Sequence, residues 1–267
     1  MIINHEVPKC LLSSSPKYNN YDFCLPHLLD QDEEYLQYYK DAKAKGRYII
    51  MDNSLHELKD VNKGHGYNHD RLHYWLNEIK PDEFIVPDVW ENLTKTLINA
   101  KEWINFKYPK NTIPVAVVQA KSYKEAEYCY SGLKVYGYKK IAFSYGANYY
   151  KNISKHPNLY MAKALGRILV ISKLYKSKII KPLDRIHLLG CSLPQEFGWY
   201  KDMPFIESID TSNPIMAAID NIKYKPWGLD TKPKANMNTH FDISPMEFNV
   251  RLVYENVKIF KEINNIK

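Results

Sequence analysis

Four polar side chains in this sequence each come directly after a short run of β-branched or apolar residues. They are Asp52, Asp88, Gln119 and Asp210. A carboxylate can act as a covalent nucleophile or as a general acid/base, and an amide both donates and accepts hydrogen bonds. In a barrel of parallel strands, residues at the carboxyl ends of the strands point into one mouth, where the active sites of that fold lie. The spacing therefore predicts three carboxylates and an amide that act in one reaction.

The elements that must position these residues alternate between strand and helix along the chain. We predict strands at 9–13, 22–25, 48–51, 84–86, 115–118, 140–143, 186–189 and 205–209. Helices are predicted at about 31–44, 68–79, 91–106, 122–133, 159–175, 194–200, 215–222 and 244–263. Eight strands mostly separated by helices favour an α/β fold, a (β/α)8 TIM-like barrel. A doubly wound sheet is the alternative, but no Gly-rich dinucleotide loop follows an early strand.

The length of 267 residues fits one barrel-sized domain, and the sequence has neither repeats nor a long linker. We therefore expect a single domain over residues 1–267. Its barrel core would cover about 8–222, followed by a basic loop and a helix at 223–267.

The composition is that of a globular protein, with 45% hydrophobic and 25% charged residues. The apolar runs are too short to span a membrane, and the first residues do not resemble a signal peptide. The four cysteines are scattered, which favours reduced thiols over disulfides or a zinc site. We therefore expect a cytoplasmic protein, in the host cytoplasm if its source is viral.

The formal net charge of +7 favours a polyanionic partner. Two lysine-rich stretches, at 173–181 and 223–234, could follow a phosphate backbone, but such runs are more often solvated faces.

Structural interpretations compete with the catalytic one at each candidate position. Asp210 and Asp88 could each cap the helix that follows, and Asp52 could form an Asx-turn. Among the histidines, His187 on a strand is interpreted as a packed residue. The spacing of His65, His69 and His73 provides half of a metal site but is more typical of a solvated helix face.

Five short motifs lie in order at the predicted strand ends: Asp-Asn-Ser at 52–54, Val-Pro-Asp-Val at 86–89, Val-Val-Gln at 117–119, Ile-His-Leu-Leu-Gly at 186–190 and Glu-Ser-Ile-Asp-Thr-Ser at 207–212. Together they resemble the tRNA-guanine transglycosylase superfamily. The resemblance covers about residues 11–222. It is closer to the short phage and bacterial branch, the DpdA-type DNA 7-deazaguanine transglycosylases.

The resemblance implies a (β/α) barrel that exchanges guanine in a polynucleotide for a 7-deazaguanine base and needs no metal or redox cofactor. By position, Asp210 would be the nucleophile that attacks C1′, and Asp52 the general acid/base. Asp88 and Gln119 would bind the edge of the base. Further base contacts are expected at Asn53 and Ser144.

The chain also departs from the tRNA enzymes of that superfamily. Where they carry Gly-rich stretches, this sequence reads Asn-Ser-Leu at 53–55 and Ser-Tyr-Gly at 144–146. It has no counterpart of their C-terminal zinc subdomain, since Cys191 is its last cysteine. The missing subdomain favours a polynucleotide other than tRNA, and the resemblance to the shorter branch implies DNA, with a free 7-deazaguanine base, such as 7-cyano-7-deazaguanine, as second substrate.

Three alternatives stay open. The same exchange could act on tRNA, as in the queuine-type enzymes. The chain could be a catalytically inactive barrel that binds nucleic acid, although carboxylates facing phosphates would not help such a protein. An unrelated small-molecule barrel enzyme, such as an aldolase, would usually show a Schiff-base lysine or a phosphate-binding glycine loop. An accessory DNA-opening protein and a homodimer are further partners that the sequence leaves open.

Overall fold

The computed structural model describes residues 1–266. Its strands are β1 (Ile2–Asn4), β2 (Asp22–Cys24), β3 (Ile49–Met51), β4 (Glu83–Ile85), β5 (Ile113–Val118), β6 (Lys140–Ser144), β7 (Arg185–Leu189) and β8 (Ile206–Asp210). They are parallel and form one sheet in the order β1-β8-β7-β6-β5-β4-β3-β2. Together with the helices between them, they define an α/β fold of the (β/α)8 TIM-barrel type. The predicted fold class is confirmed.

The helices are α1 (Pro26–Gln31), α2 (Glu33–Ala44), α3 (Leu55–Leu58), α4 (His69–Ile79), α5 (Leu93–Trp103), α6 (Tyr123–Val135), α7 (Tyr150–Ser154), α8 (Leu159–Lys176), α9 (Asn213–Ile219), α10 (Met237–His240) and α11 (Val250–Ile263). Lys9–Lys17 and Pro194–Tyr200 form 3-10 helices. Asparagine or serine side chains cap most of the long helices; Asn68, for example, accepts a hydrogen bond from the amide of Arg71. Within residues 1–266, none of the helices combines the length and the apolar character needed to cross a membrane.

Close packing divides the chain into two compact units. The first unit holds residues 1–20, 144–183 and 187–266, and the second holds residues 21–143 and 184–186. In the first unit β1 pairs with β8, which sets Asn4 opposite Asp210. Helix α8 approaches α7 so closely at Gly166 that a Cβ there would lie 2.2 Å from the carbonyl oxygen of Tyr150.

Three charges meet at the amino ends of strands in the second unit. Glu83, Lys140 and Arg185 are the first residues of β4, β6 and β7. The Nζ of Lys140 lies 2.6 Å from Oε2 of Glu83, and Nη2 of Arg185 lies 3.1 Å from Oε1. The side chains of Glu83 and Lys140 are 0% and 1% exposed. Buried charges of this kind need each other, because neither can be solvated by water.

One predicted strand is wrong. The strand predicted at 9–13 is part of the 3-10 helix Lys9–Lys17, and the first strand is the unpredicted Ile2–Asn4. Pro8 precedes this segment and Pro16 lies in its last turn, and the amide of Lys9 donates to the carbonyl of Phe241 rather than to a strand.

The last helix begins at Val250 and not at 244, because Asn249 provides the cap by accepting from the amide of Leu252. Ser244 instead starts a turn, in which its amide donates to the carboxylate of Glu247. The helix predicted at about 31–44 corresponds to α2 (Glu33–Ala44), which Asp32 caps, whereas the preceding short helix α1 (Pro26–Gln31) was not predicted.

Candidate functional site

Asp88 is a buried carboxylate held by two amides in the second unit. It follows β4 and is 4% exposed. Its Oδ1 accepts a 2.7 Å hydrogen bond from Asn53 Nδ2, and its Oδ2 accepts a 2.6 Å bond from Gln119 Nε2. Burial raises the pKa of Asp88 to about 6, while the two amide donors act in the opposite direction. The competing interpretation of Asp88 as a helix cap is wrong, since Asn92 caps α5.

The two amides are themselves fixed by further bonds. Gln119 Oε1 accepts from the amide of Glu91 at 2.8 Å, which orients its Nε2 towards Asp88. The second amide, on Asn53, also donates to the carbonyl of Val86 at 2.9 Å. The structure therefore brings together Asp88, Gln119 and Asn53, three of the predicted residues, in one hydrogen-bonded cluster.

Asp52 lies at the carboxyl end of β3, next to that cluster in sequence. Its Oδ2 accepts from the amide of Ser54 at 2.9 Å, so the Asx-turn interpretation is confirmed. This does not exclude chemistry, because a carboxylate has about four acceptor sites. Gly66 packs against the same turn, where a Cβ would lie 2.6 Å from the carbonyl oxygen of Asn53.

Ser54 and His27 are functional candidates that the sequence did not predict. Ser54 has a left-handed backbone with a φ of 53°, and its Oγ lies 2.7 Å from Nδ1 of His27. Burial lowers the pKa of His27 to about 4, although Asp30 acts in the opposite direction. A neutral imidazole therefore braces the turn that carries Asp52. The two residues are 27 positions apart, and no local pattern in the sequence links them.

Asp210 is the last residue of β8 and is 4% exposed. Its Oδ1 lies 2.9 Å from Nε2 of His187, and the amide of Gly190 approaches Oδ1 and Oδ2 at 3.4 and 3.3 Å. His187 Nδ1 lies 2.8 Å from the hydroxyl of Ser208. The Nε2–H of the ring can donate to Oδ1 of Asp210, and the hydroxyl of Ser208 can donate to Nδ1, so one arrangement of hydrogens satisfies both contacts. The buried carboxylate is thus oriented from β7.

Two sequence interpretations change at this point. Asp210 does not cap α9, whose capping position is taken by Ser212. His187 is buried, as expected of a packed histidine, but its ring also orients the carboxylate. The signal in the sequence was a polar residue, His187, within an otherwise apolar predicted strand, one strand before the strand that ends at Asp210.

Gly190, which contacts Asp210, is fixed by a buried ion pair. Arg167 donates to the carbonyl of Leu189 at 3.0 Å and to that of Gly190 at 2.8 Å. Its Nε lies 2.6 Å from Oε1 of Glu196, and both side chains are 0% exposed. Gly190 has a φ of 60°, and a Cβ there would lie 2.4 Å from the ring of Tyr145. Position 190 in the turn after β7 therefore requires glycine, and Arg167 fixes the backbone of this turn.

Ser144 ends β6, where its Oγ accepts from the amide of Gly146 at 3.3 Å. This contact shapes a turn, and a role of Ser144 in base binding stays a prediction. His69 packs edge-on against Trp103, and His73 contacts the carbonyl of Lys107. Within the described residues 1–266, no group of three His, Cys, Asp or Glu side chains is arranged to hold a metal ion.

The raised pKa of Asp88 predicts a pH-dependent stability. An unfolded aspartate has a pKa of about 3.9. The folded state binds the proton more tightly, so this stabilisation is complete below about pH 4 and is lost as the pH rises through 6. Between pH 5 and 7.5 the wild type should lose about 1 kcal/mol relative to Asp88→Asn. Urea unfolding of both proteins at the two pH values measures the change; a constant difference between them would contradict it.

The protein is thus an α/β barrel in which two buried carboxylates near the carboxyl ends of strands, those of Asp88 and Asp210, are each held by hydrogen bonds. No protein-family model matches the chain, and a comparison with curated proteins finds no match.

Proposed function

We propose that this protein is a base-exchange transglycosylase that replaces guanine in DNA with a 7-deazaguanine base. The observation that carries the proposal is that His187 and Gly190 hold the carboxylate of Asp210 by hydrogen bonds. Asp210 has no competing structural role as a helix cap. The imidazole of His187 hydrogen-bonds to Oδ1 at 2.9 Å, whereas Oδ2 has only the longer, 3.3 Å contact with the amide of Gly190. Oδ2 is therefore the better nucleophile of the two oxygens. An aspartate oriented in this way suits attack on an anomeric carbon.

In the first proposed step, Asp210 Oδ2 attacks C1′ of the target nucleotide. A C1′–O ester bond forms as the bond from C1′ to the guanine nitrogen breaks, and guanine leaves with the electron pair. The leaving base takes a proton from Asp52, acting as general acid. The sugar–phosphate backbone stays intact, and the sugar is held covalently by the protein.

Asp88 is proposed to recognise the base. Guanine presents two neighbouring N–H groups on its pairing edge, and a carboxylate accepts such a pair. Asn53 and Gln119 each occupy one acceptor site on Asp88, out of about four that a carboxylate offers. With its pKa at about 6, Asp88 is mostly ionised at neutral pH and can accept both bonds.

In the second step the incoming 7-deazaguanine base attacks C1′ with its ring nitrogen. The ester bond breaks, Asp210 is restored, and Asp52 removes the proton of the attacking nitrogen. Two displacements on the same carbon retain the configuration of the sugar. The target nucleotide must first leave the duplex, which costs about a few kcal/mol. The net charge of +7 would contribute sequence-independent affinity for the backbone.

The test is incorporation of radiolabelled guanine by the purified protein into duplex DNA, single-stranded DNA and tRNA. We expect label in DNA and not in tRNA. Label in tRNA alone would move the substrate to the queuine-type alternative. No label in any polynucleotide, with the protein folded and in excess, would contradict the proposed function. Asp202→Asn, which changes an exposed aspartate, serves as the matched control and should exchange guanine at the wild-type rate.

A further inference from the structure

An exposed tryptophan stands at the tip of a tight turn in the first unit. Lys225 and Gly228 exchange two backbone hydrogen bonds, of 3.1 and 2.9 Å, which places Pro226 and Trp227 at the tip. Gly228 has a φ of 107°, and a Cβ there would lie 2.2 Å from Oε1 of Gln195. The shape of the turn is therefore set by proline on one side and glycine on the other.

Side chains from elsewhere in the same unit fix the base of this turn. Gln195 donates to the carbonyl of Leu229 at 2.8 Å and accepts from its amide at 3.2 Å. Asn158 donates to the carbonyl of Asp230 at 2.8 Å. A residue on such a support loses little conformational freedom when it binds a ligand, which favours affinity.

The indole of Trp227 is left largely in solvent. Trp227 is 57% exposed, whereas the other four tryptophans of the chain are buried or half-buried. An exposed indole on a fixed turn presents a large flat apolar surface, which is a common feature of binding sites.

The surroundings of the indole are basic. Residues 223–234 contain four lysines and one aspartate. Lys225 Nζ lies 5.2 Å from the indole centroid and pairs with Asp230, and Lys223 pairs with Glu255. These pairs are exposed, and exposed pairs contribute little, so the lysines can exchange a carboxylate for a phosphate at small cost. An aromatic face beside exposed cations fits a base attached to a phosphate backbone better than an apolar peptide.

We propose that Trp227 is a stacking platform for an unpaired base of the polynucleotide, with Lys223 and Lys225 contacting the adjacent phosphates. This inference rests on the proposed function, because that function supplies a polynucleotide with an extruded or single-stranded segment. It adds a binding site outside the carboxylate clusters. Stacking on an aromatic side chain contributes about 1–3 kcal/mol per base.

The experiment measures binding of a fluorescein-labelled single-stranded 20-mer at one fixed salt concentration. We expect Trp227→Ala to raise the Kd about 5- to 100-fold, and Trp227→Phe to retain most of the affinity because the aromatic face is kept. Tyr128→Ala removes an exposed aromatic side chain (66% exposed) on α6 and should bind as the wild type does. Indole fluorescence should be quenched by the oligonucleotide in the wild type and much less in Trp227→Phe.

Wild-type affinity in Trp227→Ala, or a wild-type protein that does not bind the 20-mer, would overturn the platform. The two proposals fail separately. Binding through Trp227 without transfer of labelled guanine would leave the platform in place and contradict the transglycosylase. Guanine transfer together with unchanged binding by Trp227→Ala would remove the platform alone.

Discussion

Replacing Asp210 with asparagine is expected to abolish guanine exchange, lowering kcat/KM by about 10⁴-fold or more. The amide cannot form the ester with C1′, so both displacements lose their nucleophile. Its Oδ1 can still accept the hydrogen bond from His187, which lies 2.9 Å from the carboxylate, so the variant should fold. Initial rates of label incorporation measure the loss. A covalent protein–DNA species on a denaturing gel should form with the wild type and not with the variant.

The variant His187→Gln tests the residue that orients the proposed nucleophile, Asp210, and leaves Asp210 itself in place. As a positioning residue, His187 should affect kcat by about 10- to 100-fold and leave KM nearly unchanged, because it touches the carboxylate and not the base. The covalent species should still form, but more slowly. Exchange by Asp210→Asn above a tenth of the wild-type rate would contradict the nucleophile assignment, and an equal rise of KM in His187→Gln would contradict the positioning role.

The second large effect is expected on stability, at the amino ends of the strands. Glu83→Gln should lower the free energy of unfolding by about 3–5 kcal/mol, because Lys140 then keeps a buried charge without its counter-charge. Urea unfolding followed by circular dichroism measures the change, with a second probe to test for two-state behaviour. The double variant Glu83→Gln/Lys140→Met should recover much of the loss, since it leaves no buried ammonium.

Glu262→Gln is the matched control for charge loss at the surface. Glu262 faces Lys258 one helical turn away at 3.8 Å, and both side chains are more than half exposed. Its removal should leave the urea midpoint unchanged. If Glu83→Gln unfolded at the wild-type midpoint, the buried pair would not contribute to stability as its burial indicates.

The alternation of strands and helices in the sequence was sufficient to predict the fold class, because most strands lie in short apolar runs and each long helix has a recognisable cap. The first strand could not be predicted, since Ile2–Asn4 is three residues long and has no alternation. The segment Lys9–Lys17 contains an apolar Cys-Leu-Leu run typical of a strand, but it forms a 3-10 helix with Pro8 at its start and Pro16 near its end. Ser244 followed by proline has the sequence of a helix start, yet Asn249 is the cap.

The positions of the candidate carboxylates could also be predicted, because each follows a strand. Their partners could not. Asn53 contacts Asp88 across 35 residues, and His187 contacts Asp210 across 23, so only the register of the sheet brings them together. The support of Gly190 by Arg167 spans 23 residues and joins helix α8 to the turn after β7, so it too depends on tertiary structure. A local pattern identifies which residues could react, whereas the hydrogen bonds that orient them depend on tertiary structure.

The cluster of Glu83, Lys140 and Arg185 is completed in two stages during biosynthesis, because Arg185 follows the other two residues in the chain. Arg185 belongs to the second compact unit, yet the ribosome must make residues 144–183, which belong to the first, before it reaches Arg185. At about 5–20 residues per second, that interval lasts about 2–8 s. During it, the emerging chain has Glu83 and Lys140 but lacks the guanidinium that completes the cluster. The second unit is therefore complete only after residues 144–183 of the first unit have been made, although most of it precedes them in the chain.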